Sequence, residues 1–272
     1  MNRVIVITGS TDGIGLATAK LLAGQGYNLG IHGRNQAKLE NTKSVLLGIN
    51  DKIQIETFKA DLSDLKQTLS LADSIKAHYG HIDTLINNAG VYSVPQTKSV
   101  DGLDVRYVVN VITPYLLTRA LLKVMNDSSR VVNLSSAAQA PFEPHELCSV
   151  SLMPDGVVYA KSKLALTMWT RYVSKEFENS GPSIFAVNPA SMLGSKMVRD
   201  AYGVNGGDLN IGAKVLVEAS LGKSFTGKTG QYFDNDTAQF REPHPFAKDS
   251  KSGEVLITIL NNLVAPFLAI QH

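Results

Sequence analysis

The chain of 272 residues is 44% hydrophobic and 18% charged, with a formal net charge of +2. This composition predicts one large globular domain with a substantial core, and it excludes a disordered chain. Because no basic run is present, the sequence gives no indication of binding to nucleic acid or to an anionic membrane, and a small molecule is the expected partner.

Cysteine usage and the two ends of the chain bear on its compartment. Cys148 is the single cysteine, which excludes an internal disulfide framework, and no cysteine and histidine cluster has zinc-ligand spacing, so we predict no metal site. The start lacks the pattern of a signal peptide, and we expect a cytoplasmic protein. The apolar run 255–270 is interrupted by Asn261, Asn262 and Pro266 and is too short for a spanning helix. We expect it to pack on the protein or against another subunit, with weak membrane association as the alternative.

Short runs of β-branched residues alternate with longer helical patterns along the chain. The predicted strands lie within residues 3–9, 28–34, 52–61, 82–90, 130–136 and 183–189. The predicted helices cover residues 13–25, 36–47, 64–79, 102–125 and 157–179. One face of the first helix carries Ile14, Ala17, Leu21 and Leu22. The alternation predicts an α/β fold in a single domain over residues 1–272, with a Rossmann-type, doubly wound parallel sheet flanked by helices.

Two segments, 137–156 and 191–207, fall outside this alternation. Each follows the carboxyl end of a strand, where ligands bind in open α/β sheets, and we predict that both form substrate loops. Four apolar residues stand out in the first segment, namely Phe142, Leu147, Leu152 and Met153. They indicate either an apolar wall of the substrate pocket or a surface loop that two of them anchor.

The segment TGSTDGIG, residues 8–15, places three glycines between the first strand and the first helix. Such a turn lets the backbone approach a pyrophosphate closely and directs the amide groups of the helix start toward it. A tight strand-to-helix connection without a ligand is the alternative. Because the turn lies in the first βα unit, we predict that it binds a dinucleotide. The predicted contacts are Gly9, Ser10, Thr11, Asp12, Gly13, Ile14 and Gly15.

The end of the second strand bears on the choice between the two nicotinamide cofactors. An NAD site places a carboxylate there for the adenosine ribose, whereas an NADP site offers a cation to the 2'-phosphate. This chain has Gly33 at the position of the acid and Arg34 directly after it. Because a guanidinium binds a phosphate through two hydrogen bonds, we predict that NADP(H) is preferred over NAD(H). A solvated loop charge at Arg34 is the alternative.

Seven short motifs occur in an order that resembles the short-chain dehydrogenases/reductases. They are TGSTDGIG at 8–15, Ala60 with Asp61, NNAG at 87–90, Asn110, VVNLSS at 131–136, YAKSK at 159–163 and NPAS at 188–191. The resemblance covers Val4 to Pro189 and continues more loosely to about residue 262. The sequence TGQYF, within residues 226–233, is similar to the retinol-dehydrogenase-like branch of that family.

The resemblance implies catalytic roles for four of these positions. Asn110, in a kinked part of the long helix, would hold a water that relays protons to Lys163. Ser136, the second of two adjacent serines, would donate a hydrogen bond to the substrate oxygen. Tyr159 would be the general acid/base, and Lys163 would also hold the nicotinamide ribose.

The resemblance also implies cofactor contacts beyond the first turn, and it implies an oligomer. These contacts would come from Asp61 and Leu62 near the adenine, from Asn88, Ala89 and Gly90, from Tyr159 and Lys163, and from Pro189, Ala190, Ser191 and Ser195. Family members commonly have Pro-Gly where this chain has Pro189 and Ala190, and Ala190 still supplies a backbone amide if its φ is negative. They also commonly pair through the two long helices, so we expect a homodimer or a homotetramer.

Proton transfer by Tyr159 requires a change in its acidity. A free tyrosine has a pKa near 10, and transfer close to neutral pH calls for a value roughly 2 to 3 units lower. Tyr159 and Lys163 are four residues apart on one helical face, so their side chains can meet. An ammonium within about 4 to 6 Å stabilises the phenolate, and we predict that Lys163 lowers the pKa of Tyr159. Lys161 faces away from the pair, and we expect it to be solvated or in a subunit contact.

Taken together, the motifs predict an NADP(H)-dependent oxidoreductase that interconverts a carbonyl and an alcohol on a small to medium, lipophilic substrate. The alternative from another class is a non-catalytic NADP-binding sensor or scaffold protein of the same fold, whose expected signature is loss of the tyrosine or the lysine. An epimerase or dehydratase on an extended version of the fold is disfavoured, because only about 80 residues follow Pro189.

Overall fold

The computed structural model describes residues 3–177 and 180–269. Its strands are β1 (Val4–Ile7), β2 (Asn28–Gly33), β3 (Ile55–Lys59), β4 (Thr84–Asn87), β5 (Arg130–Leu134), β6 (Ser183–Asn188), β7 (Tyr232–Asp234) and β8 (Gln239–Arg241). They form one eight-stranded sheet in the order β3-β2-β1-β4-β5-β6-β7-β8. The pairs from β3 to β7 are parallel, and β8 adds to β7 in the antiparallel direction.

Helices cover both faces of the sheet. The α-helices are α1 (Gly13–Gly24), α2 (Gln36–Ile49), α3 (Leu65–His78), α4 (Val105–Tyr107), α5 (Thr113–Leu121), α6 (Asp155–Ser174), α7 (Lys196–Tyr202), α8 (Leu209–Leu221) and α9 (Ser250–Leu268). A π-helical turn at Val108–Ile112 lies between α4 and α5. Turns of 3-10 helix lie at Leu122–Val124, Pro144–Cys148, Lys175–Phe177, Lys223–Phe225 and Pro245–Lys248.

The sheet separates two apolar clusters, and β1 contributes to both. Ile5 and Ile7 belong to the cluster that contains side chains of α1, α2 and α8, whereas Val6 belongs to the cluster with α3, α5, α6 and α9. Successive side chains of a strand point to opposite faces, so an unbroken apolar run serves both clusters. The doubly wound parallel sheet that the sequence predicted is confirmed.

The strand order reverses at the centre of the sheet, where β1 pairs with β2 on one side and with β4 on the other. At such a reversal a crevice opens beyond the carboxyl ends of the strands, and ligands bind there in open α/β sheets. The turns after β1, β2, β4, β5 and β6 all leave the sheet at this edge. The candidate site residues lie on these turns and on the helices that follow them.

The buried face of α1 differs from the predicted face. Thr18, Ala19 and Leu22 are fully buried, whereas Ile14 and Leu21 are partly exposed. Small side chains at this face let α1 pack closely against α8. Close helix packing, rather than the apolar stripe, therefore sets the rotation of α1.

The helix predicted over residues 102–125 is interrupted. Gly102 lies in a turn with a φ of +81°, and Asp104 caps the helix by accepting a hydrogen bond from the amide of Arg106. The helix therefore begins at Val105. The π-helical turn that follows contains Asn110, so the predicted kink at this residue is confirmed. Such turns occur frequently at functional sites.

Other predicted boundaries also shift. Helix α6 covers Asp155–Ser174 instead of 157–179, and residues 178 and 179 lie outside the described part of the chain. The sequence analysis did not predict β7 or β8, which have three residues each. Both predicted substrate loops contain regular structure, the 3-10 turn at Pro144–Cys148 in one and α7 in the other.

The apolar run near the end of the chain forms most of α9, which packs on α6, α5 and α3. Leu256, Leu260 and Val264 are buried, and the hydroxyl of Tyr115 donates a hydrogen bond of 2.6 Å to Oδ1 of Asn261. Packing on the protein is therefore confirmed for this run, apart from its last residue, which is not described. Within residues 3–177 and 180–269, no helix combines the length and the apolar character needed to cross a membrane. Helix α9 covers part of the face of α5 and α6 through which we expected subunits to pair. The homo-oligomer stays a prediction.

Candidate active site

The glycine-rich turn after β1 has the geometry that close approach of a ligand requires. Gly9 and Gly13 have φ values of +65° and +54°, which non-glycine residues rarely adopt. A Cβ at Gly15 would lie 2.4 Å from the carbonyl oxygen of Gly9 and 2.5 Å from Nδ2 of Asn88. Asp12 caps α1 by accepting a hydrogen bond of 2.7 Å from the amide of Gly13. The turn thus presents the start of α1 at the crevice, as a dinucleotide site requires.

His32, in β2, holds this turn in place, and the sequence analysis missed it. Its Nδ1 accepts a hydrogen bond of 3.1 Å from the amide of Gly9, and its Nε2 then donates to the carbonyl oxygen of Ala60 at 3.1 Å. Burial lowers the pKa of His32 to about 4, so the ring is neutral in the folded protein near pH 7. A polar residue inside an otherwise apolar strand was the available signal.

The hydroxyl of Ser10 also faces β2. It donates to the carbonyl oxygen of His32 at 3.2 Å and accepts from the amide of His32 at 2.9 Å, and the residue is fully buried. The hydroxyl is thus directed into the protein, and the predicted contact of Ser10 with the cofactor would have to come from its backbone.

The ends of β2 and β3 lie beside the turn. A Cβ at Gly33, where an NAD site would have its acid, would lie 2.8 Å from Cγ2 of Thr11. Arg34 follows on the surface, with an exposed side chain. Asp61 accepts hydrogen bonds from the amide and hydroxyl of Ser63 at 3.0 and 2.8 Å. Leu62 is buried directly after it.

The segment after β4 supports the turn from the other side. Nδ2 of Asn88 donates to the carbonyl oxygens of Thr8 and Gly9 at 2.9 and 3.0 Å, and the amide of Ala89 donates to Oγ1 of Thr8 at 3.1 Å. These hydrogen bonds hold the segment after β4 against the glycine-rich turn. At Gly90, a Cβ would lie 3.5 Å from Nζ of Lys163, so the backbone passes close to this lysine.

Ser136, Tyr159 and Lys163 meet at the end of β5. Ser135 is buried and its Oγ lies 2.6 Å from Oγ1 of Thr167, whereas Ser136 interacts with the hydroxyl of Tyr159. Nζ of Lys163 lies 5.5 Å from the centre of the Tyr159 ring and donates a hydrogen bond of 2.7 Å to the carbonyl oxygen of Leu134. The structure thus brings the second serine, rather than the first, to the tyrosine.

The predicted direction of the Tyr159 pKa shift is wrong for this structure. Burial raises its pKa to about 12, although the hydrogen bond with Ser136 opposes this shift and Tyr202 and Tyr92 add to it. Lys163 is also buried, which lowers its pKa to about 8. Desolvation of the phenolate therefore outweighs the stabilisation expected from the ammonium, and the protonated form of Tyr159 predominates near pH 7.

Asn110 links the π-helical turn to the site. Its Oδ1 accepts a hydrogen bond of 2.8 Å from the amide of Val91, and its Nδ2 donates to the carbonyl oxygen of Val91 and to Oγ of Ser162, at 2.9 and 3.0 Å. A Cβ at Gly90 would lie 3.3 Å from Oδ1 of Asn110. Asn110 therefore fixes the chain segment that passes Lys163.

Two further tyrosines lie next to Tyr159 and were missed in the sequence analysis. The ring centres of Tyr92 and Tyr159 are 5.2 Å apart, and those of Tyr92 and Tyr202 are 5.8 Å apart. A side-chain hydrogen bond between Tyr92 and Tyr202 contributes to the raised pKa of Tyr92, whose largest cause is burial. The only signal in the sequence was the position of Tyr92, two residues after NNAG.

The segment after β6 departs from the prediction in its backbone and in its polar contacts. Ala190 has a φ of +114°, so the condition of a negative φ is not met, and this backbone is strained for a residue with a Cβ. The amide and hydroxyl of Ser191 donate to Asp236 at 2.7 and 2.5 Å and are not directed at a cofactor. Ser195 caps α7, and a Cβ at Gly13 would lie 3.8 Å from its Cβ, which places it at the glycine-rich turn.

The first predicted substrate loop is fastened to the protein at several points. Phe142 and Leu147 are buried in the core, so they anchor the loop and do not form a substrate wall, whereas Leu152 is 99% exposed. Nζ of Lys161 donates to both carboxylate oxygens of Glu146 at 2.8 and 3.0 Å. Lys161 is therefore neither solvated nor free for a subunit contact, and its partner lies in this loop.

The residues of the crevice fit a nicotinamide dinucleotide. The turn after β1 needs glycine at three positions, Gly90 leaves the backbone open beside Lys163, and Pro189 begins the segment opposite. In the part of the chain that the structure describes, no group of three or more histidine, cysteine or acidic side chains is placed to hold a metal ion. The intact tyrosine and lysine give no support to the non-catalytic alternative.

Comparisons with known proteins agree with this geometry. The family model described as short chain dehydrogenase matches residues 3–202. Retinol dehydrogenase 12 from Bos taurus is 36% identical over 204 residues, which are 74% of this chain and 64% of that protein, so the match spans just under two thirds of that relative. Retinol dehydrogenase 12 from Homo sapiens is 32% identical over 269 residues, which are 93% of this chain and 84% of that protein.

A solved structure gives the same result for the fold. A short chain dehydrogenase from Shigella flexneri 2a, in complex with NADP, has a TM-score of 0.71 to this chain. The superposition covers 87% of this chain and 98% of the other at 23% sequence identity.

Proposed function

Because this chain belongs to the short-chain dehydrogenase/reductase family and is similar to retinol dehydrogenases, we propose that it is an NADP(H)-dependent oxidoreductase with Tyr159 as its general acid/base. Its substrate is a carbonyl or alcohol of small to medium size and lipophilic character. The observation that carries this proposal is the cluster of Ser136, Tyr159 and Lys163 at the end of β5. A cytoplasmic location and a homo-oligomer remain predictions from the sequence.

Ser136, Tyr159 and Lys163 have different roles in the proposed reaction. A bound nicotinamide supplies or accepts the hydride. Ser136 donates a hydrogen bond to the substrate oxygen, where negative charge grows during carbonyl reduction. Tyr159 passes a proton to that oxygen, and Lys163 would hold the nicotinamide ribose and keeps positive charge near the phenol. Because the pKa of Tyr159 lies at about 12, it holds its proton near pH 7, which favours its role as an acid in carbonyl reduction.

The cofactor preference rests on the surface beside the glycine-rich turn. Gly33 supplies no carboxylate at the position of the acid and packs on Thr11, and the exposed Arg34 offers a guanidinium to the 2'-phosphate. Asp61 and Leu62 lie next to this position, at the end of β3.

A lipophilic substrate is supported by the apolar surroundings of the crevice and by the names of the relatives. Met153 and Val157 at the start of α6, and Met192 and Val204 on either side of α7, are 38 to 44% exposed. Large apolar side chains at that exposure are suited to contact an apolar ligand. The relatives are named retinol dehydrogenases, and retinol is an apolar alcohol.

Replacement of Tyr159 by phenylalanine tests the proposal. We expect the Tyr159→Phe protein to lose at least about 100-fold in kcat, because the proton donor is removed while the ring and its packing remain. NADPH binding, followed by fluorescence titration, should change little. The rate is measured as NADPH consumption with a panel of aromatic, aliphatic and polyene aldehydes and ketones.

The matched control is Tyr172→Phe, on the same helix, whose hydroxyl donates to the carbonyl oxygen of Asp249 at the far side. It should keep the wild-type rate. Near-normal turnover in Tyr159→Phe would contradict the mechanism. If the wild type bound NADPH tightly but turned over no substrate of the panel, the non-catalytic NADP-binding sensor or scaffold would be favoured.

A further inference from the structure

A buried arginine lies next to the helix that carries Tyr159. Arg106, in α4, is 2% exposed, and its guanidinium binds both carboxylate oxygens of the fully buried Asp104, at 3.0 Å through Nε and at 2.7 Å through Nη2. The same guanidinium reaches α6, because Nη1 donates a hydrogen bond of 2.6 Å to Oδ1 of Asp155, the first residue of that helix. Asp104 alone balances the charge of the arginine, so the second pair calls for another explanation.

The end of the first substrate loop is bound to the same two residues. Nη2 of Arg106 donates to the carbonyl oxygen of Ser151 at 2.9 Å, and the amide of Ser151 donates to Oδ2 of Asp104 at 3.0 Å. Both backbone groups of Ser151 therefore contact one buried ion pair. The loop thus approaches α6 from a fixed position, four residues before Asp155.

The start of α6 has little of its own to fix its geometry. Pro154 stands at the N-cap and has no side-chain acceptor for the amides of the first turn. Gly156, in that turn, has more backbone freedom than any other residue type, which weakens a helix. Tyr159 lies about one turn further, four residues after Asp155. The position of the phenol therefore depends on contacts that α6 receives from its neighbours.

One neighbouring segment, α4 with the π-helical turn after it, contacts α6 on both sides of Tyr159. On the far side, Nδ2 of Asn110 donates to Oγ of Ser162 at 3.0 Å, and this hydroxyl donates to the carbonyl oxygen of Tyr159 at 2.7 Å. On the near side, Arg106 binds Asp155. Tyr159 thus lies between two points at which α6 is attached to the same segment.

We propose that Arg106 is a positioning residue that fixes the first turn of α6 through Asp155 and so sets the position of the Tyr159 hydroxyl at the substrate oxygen. This inference rests on the proposed function and adds one residue pair to it. Tyr159 must lie within hydrogen-bond distance of that oxygen to pass its proton, and a displacement of about 1 Å costs up to about 100-fold in rate. Because the pair acts through Tyr159, its loss should affect proton transfer and not binding.

Asp155→Ala is the test variant, because it removes the acceptor on α6 and leaves Arg106 paired with Asp104. Glu176→Ala is the matched control, just beyond the other end of α6. The carboxylate of Glu176 accepts hydrogen bonds of 2.5 and 2.8 Å from Arg119, whose side chain is 15% exposed. The side chains of Asp155 and Glu176 are 40% and 44% exposed, so each variant removes a partly exposed acid from a largely buried arginine.

Amide hydrogen exchange, followed by mass spectrometry, tests the positioning without any measurement of activity. Loss of a charge-assisted hydrogen bond corresponds to about a 10- to 100-fold increase in local opening. The amides of residues 157–160 should therefore exchange about 10- to 100-fold faster in Asp155→Ala than in the wild type. Glu176→Ala should keep wild-type exchange in this segment. Wild-type exchange of residues 157–160 in Asp155→Ala would overturn the proposal.

Steady-state kinetics test the consequence for Tyr159. We expect Asp155→Ala to lose about 10- to 100-fold in kcat, while KM for the carbonyl substrate and the affinity for NADPH stay within about 3-fold of the wild type. Glu176→Ala should keep the wild-type kcat, although it loses an equivalent ion pair. Asp155→Asn retains an acceptor of the same shape for Arg106, so its kcat and its exchange rates should lie between those of Asp155→Ala and the wild type.

Arg106→Lys connects the effect to the arginine. A lysine keeps the charge beside Asp104, but one ammonium does not reproduce the planar fork that binds Asp104 and Asp155 together. Arg106→Lys should therefore show faster exchange of residues 157–160 and a lower kcat, and the addition of Asp155→Ala should change neither quantity further. Additive losses in the double variant would show that Asp155 acts independently of Arg106 and would overturn the pair.

Two kinetic results would also overturn the positioning role. One is an equal loss of kcat in Asp155→Ala and Glu176→Ala, which would reduce the effect to general destabilisation. The other is a raised KM with an unchanged kcat in Asp155→Ala, which would assign Asp155 to substrate binding. If the wild type turns over no substrate, the proposed function fails, and the exchange experiment still decides whether Arg106 fixes the first turn of α6.

Discussion

Gly33 and Arg34, at the end of β2, carry the proposed preference for NADP(H). A Cβ at Gly33 would lie 2.8 Å from Cγ2 of Thr11, so an acid at this position would require Thr11 to shift. Arg34 lies on the surface directly after it. Discrimination between the two cofactors should then come almost entirely from the guanidinium, because a phosphate dianion gains two charge-assisted hydrogen bonds there.

Replacement of Arg34 by alanine should weaken NADPH binding by about 30- to 100-fold, which corresponds to about 2 to 3 kcal/mol for the lost charge-assisted hydrogen bonds. The dissociation constant for NADH should change by no more than about 2-fold, because NADH has no 2'-phosphate. Both constants are measured by fluorescence titration. Lys52→Ala removes one positive charge from an exposed loop at the other end of β3 and is the control for net charge. An equal loss of affinity for both cofactors in Arg34→Ala would contradict the assignment.

At the scale of elements, Glu146 joins three parts of the chain around the first substrate loop. Its carboxylate accepts hydrogen bonds from Lys161 of α6, from the hydroxyl of Tyr107 of α4 at 3.0 Å, and from the amide of Glu143 in the loop at 3.0 Å. These hydrogen bonds lower its pKa, although partial burial opposes them. The loop is therefore fastened, through Lys161, to the helix that carries Tyr159.

Substitution of Lys161 by methionine should lower the free energy of unfolding by about 1 to 2 kcal/mol, because a partly buried carboxylate loses its charged partner. The value of kcat should stay within about 3-fold of the wild type, because Lys161 does not reach the reacting groups. Urea denaturation and NADPH consumption measure the two quantities. Lys163→Met, two positions away, should abolish turnover.

The control for surface charge is Lys196→Met, which breaks an exposed pair with Asp200 and should leave the stability within about 0.5 kcal/mol of the wild type. A loss of kcat in Lys161→Met as large as that in Lys163→Met would contradict the assignment of a stabilising role to Lys161 and a catalytic role to Lys163.

At the scale of the whole molecule, the sequence predicted features that depend on local patterns. The alternation of strands and helices, the glycine-rich turn, and the spacing of Tyr159 and Lys163 are each set by residues close together in the chain. The choice of Ser136 over Ser135 came from the family resemblance, and the structure agrees, because Ser135 faces Thr167.

Features that depend on residues far apart in the chain escaped prediction. The pairing of Lys161 with Glu146, the contact of Tyr92 with Tyr202, and the burial of Phe142 all require the folded positions of several elements. The direction of the Tyr159 pKa shift was wrong for the same reason, because burial is a property of the assembled fold.

Burial also makes the stability of the whole molecule depend on pH through His32. Its pKa falls from 6.5 to about 4 on folding, so between these values the unfolded chain binds more protons than the folded protein. Stability therefore rises with pH across this window, is fully present above about pH 7 and is lost as the pH falls toward 4. The contribution of His32 should shrink by about 2 kcal/mol between about pH 7 and about pH 5. Protonation would also remove the acceptor for the amide of Gly9, so the glycine-rich turn and the fold should weaken together.

His32→Gln isolates this contribution, because other groups titrate in the same range and continue to do so in the variant. We expect the variant to be less stable than the wild type at about pH 7, with a difference that shrinks by about 2 kcal/mol by about pH 5. Urea denaturation at several pH values measures both curves. The exposed His145→Gln should follow the wild-type curve, since its side chain is solvated in the folded and unfolded states alike. If the free energies of unfolding of wild type and His32→Gln changed in parallel with pH, protonation of His32 would not be coupled to folding.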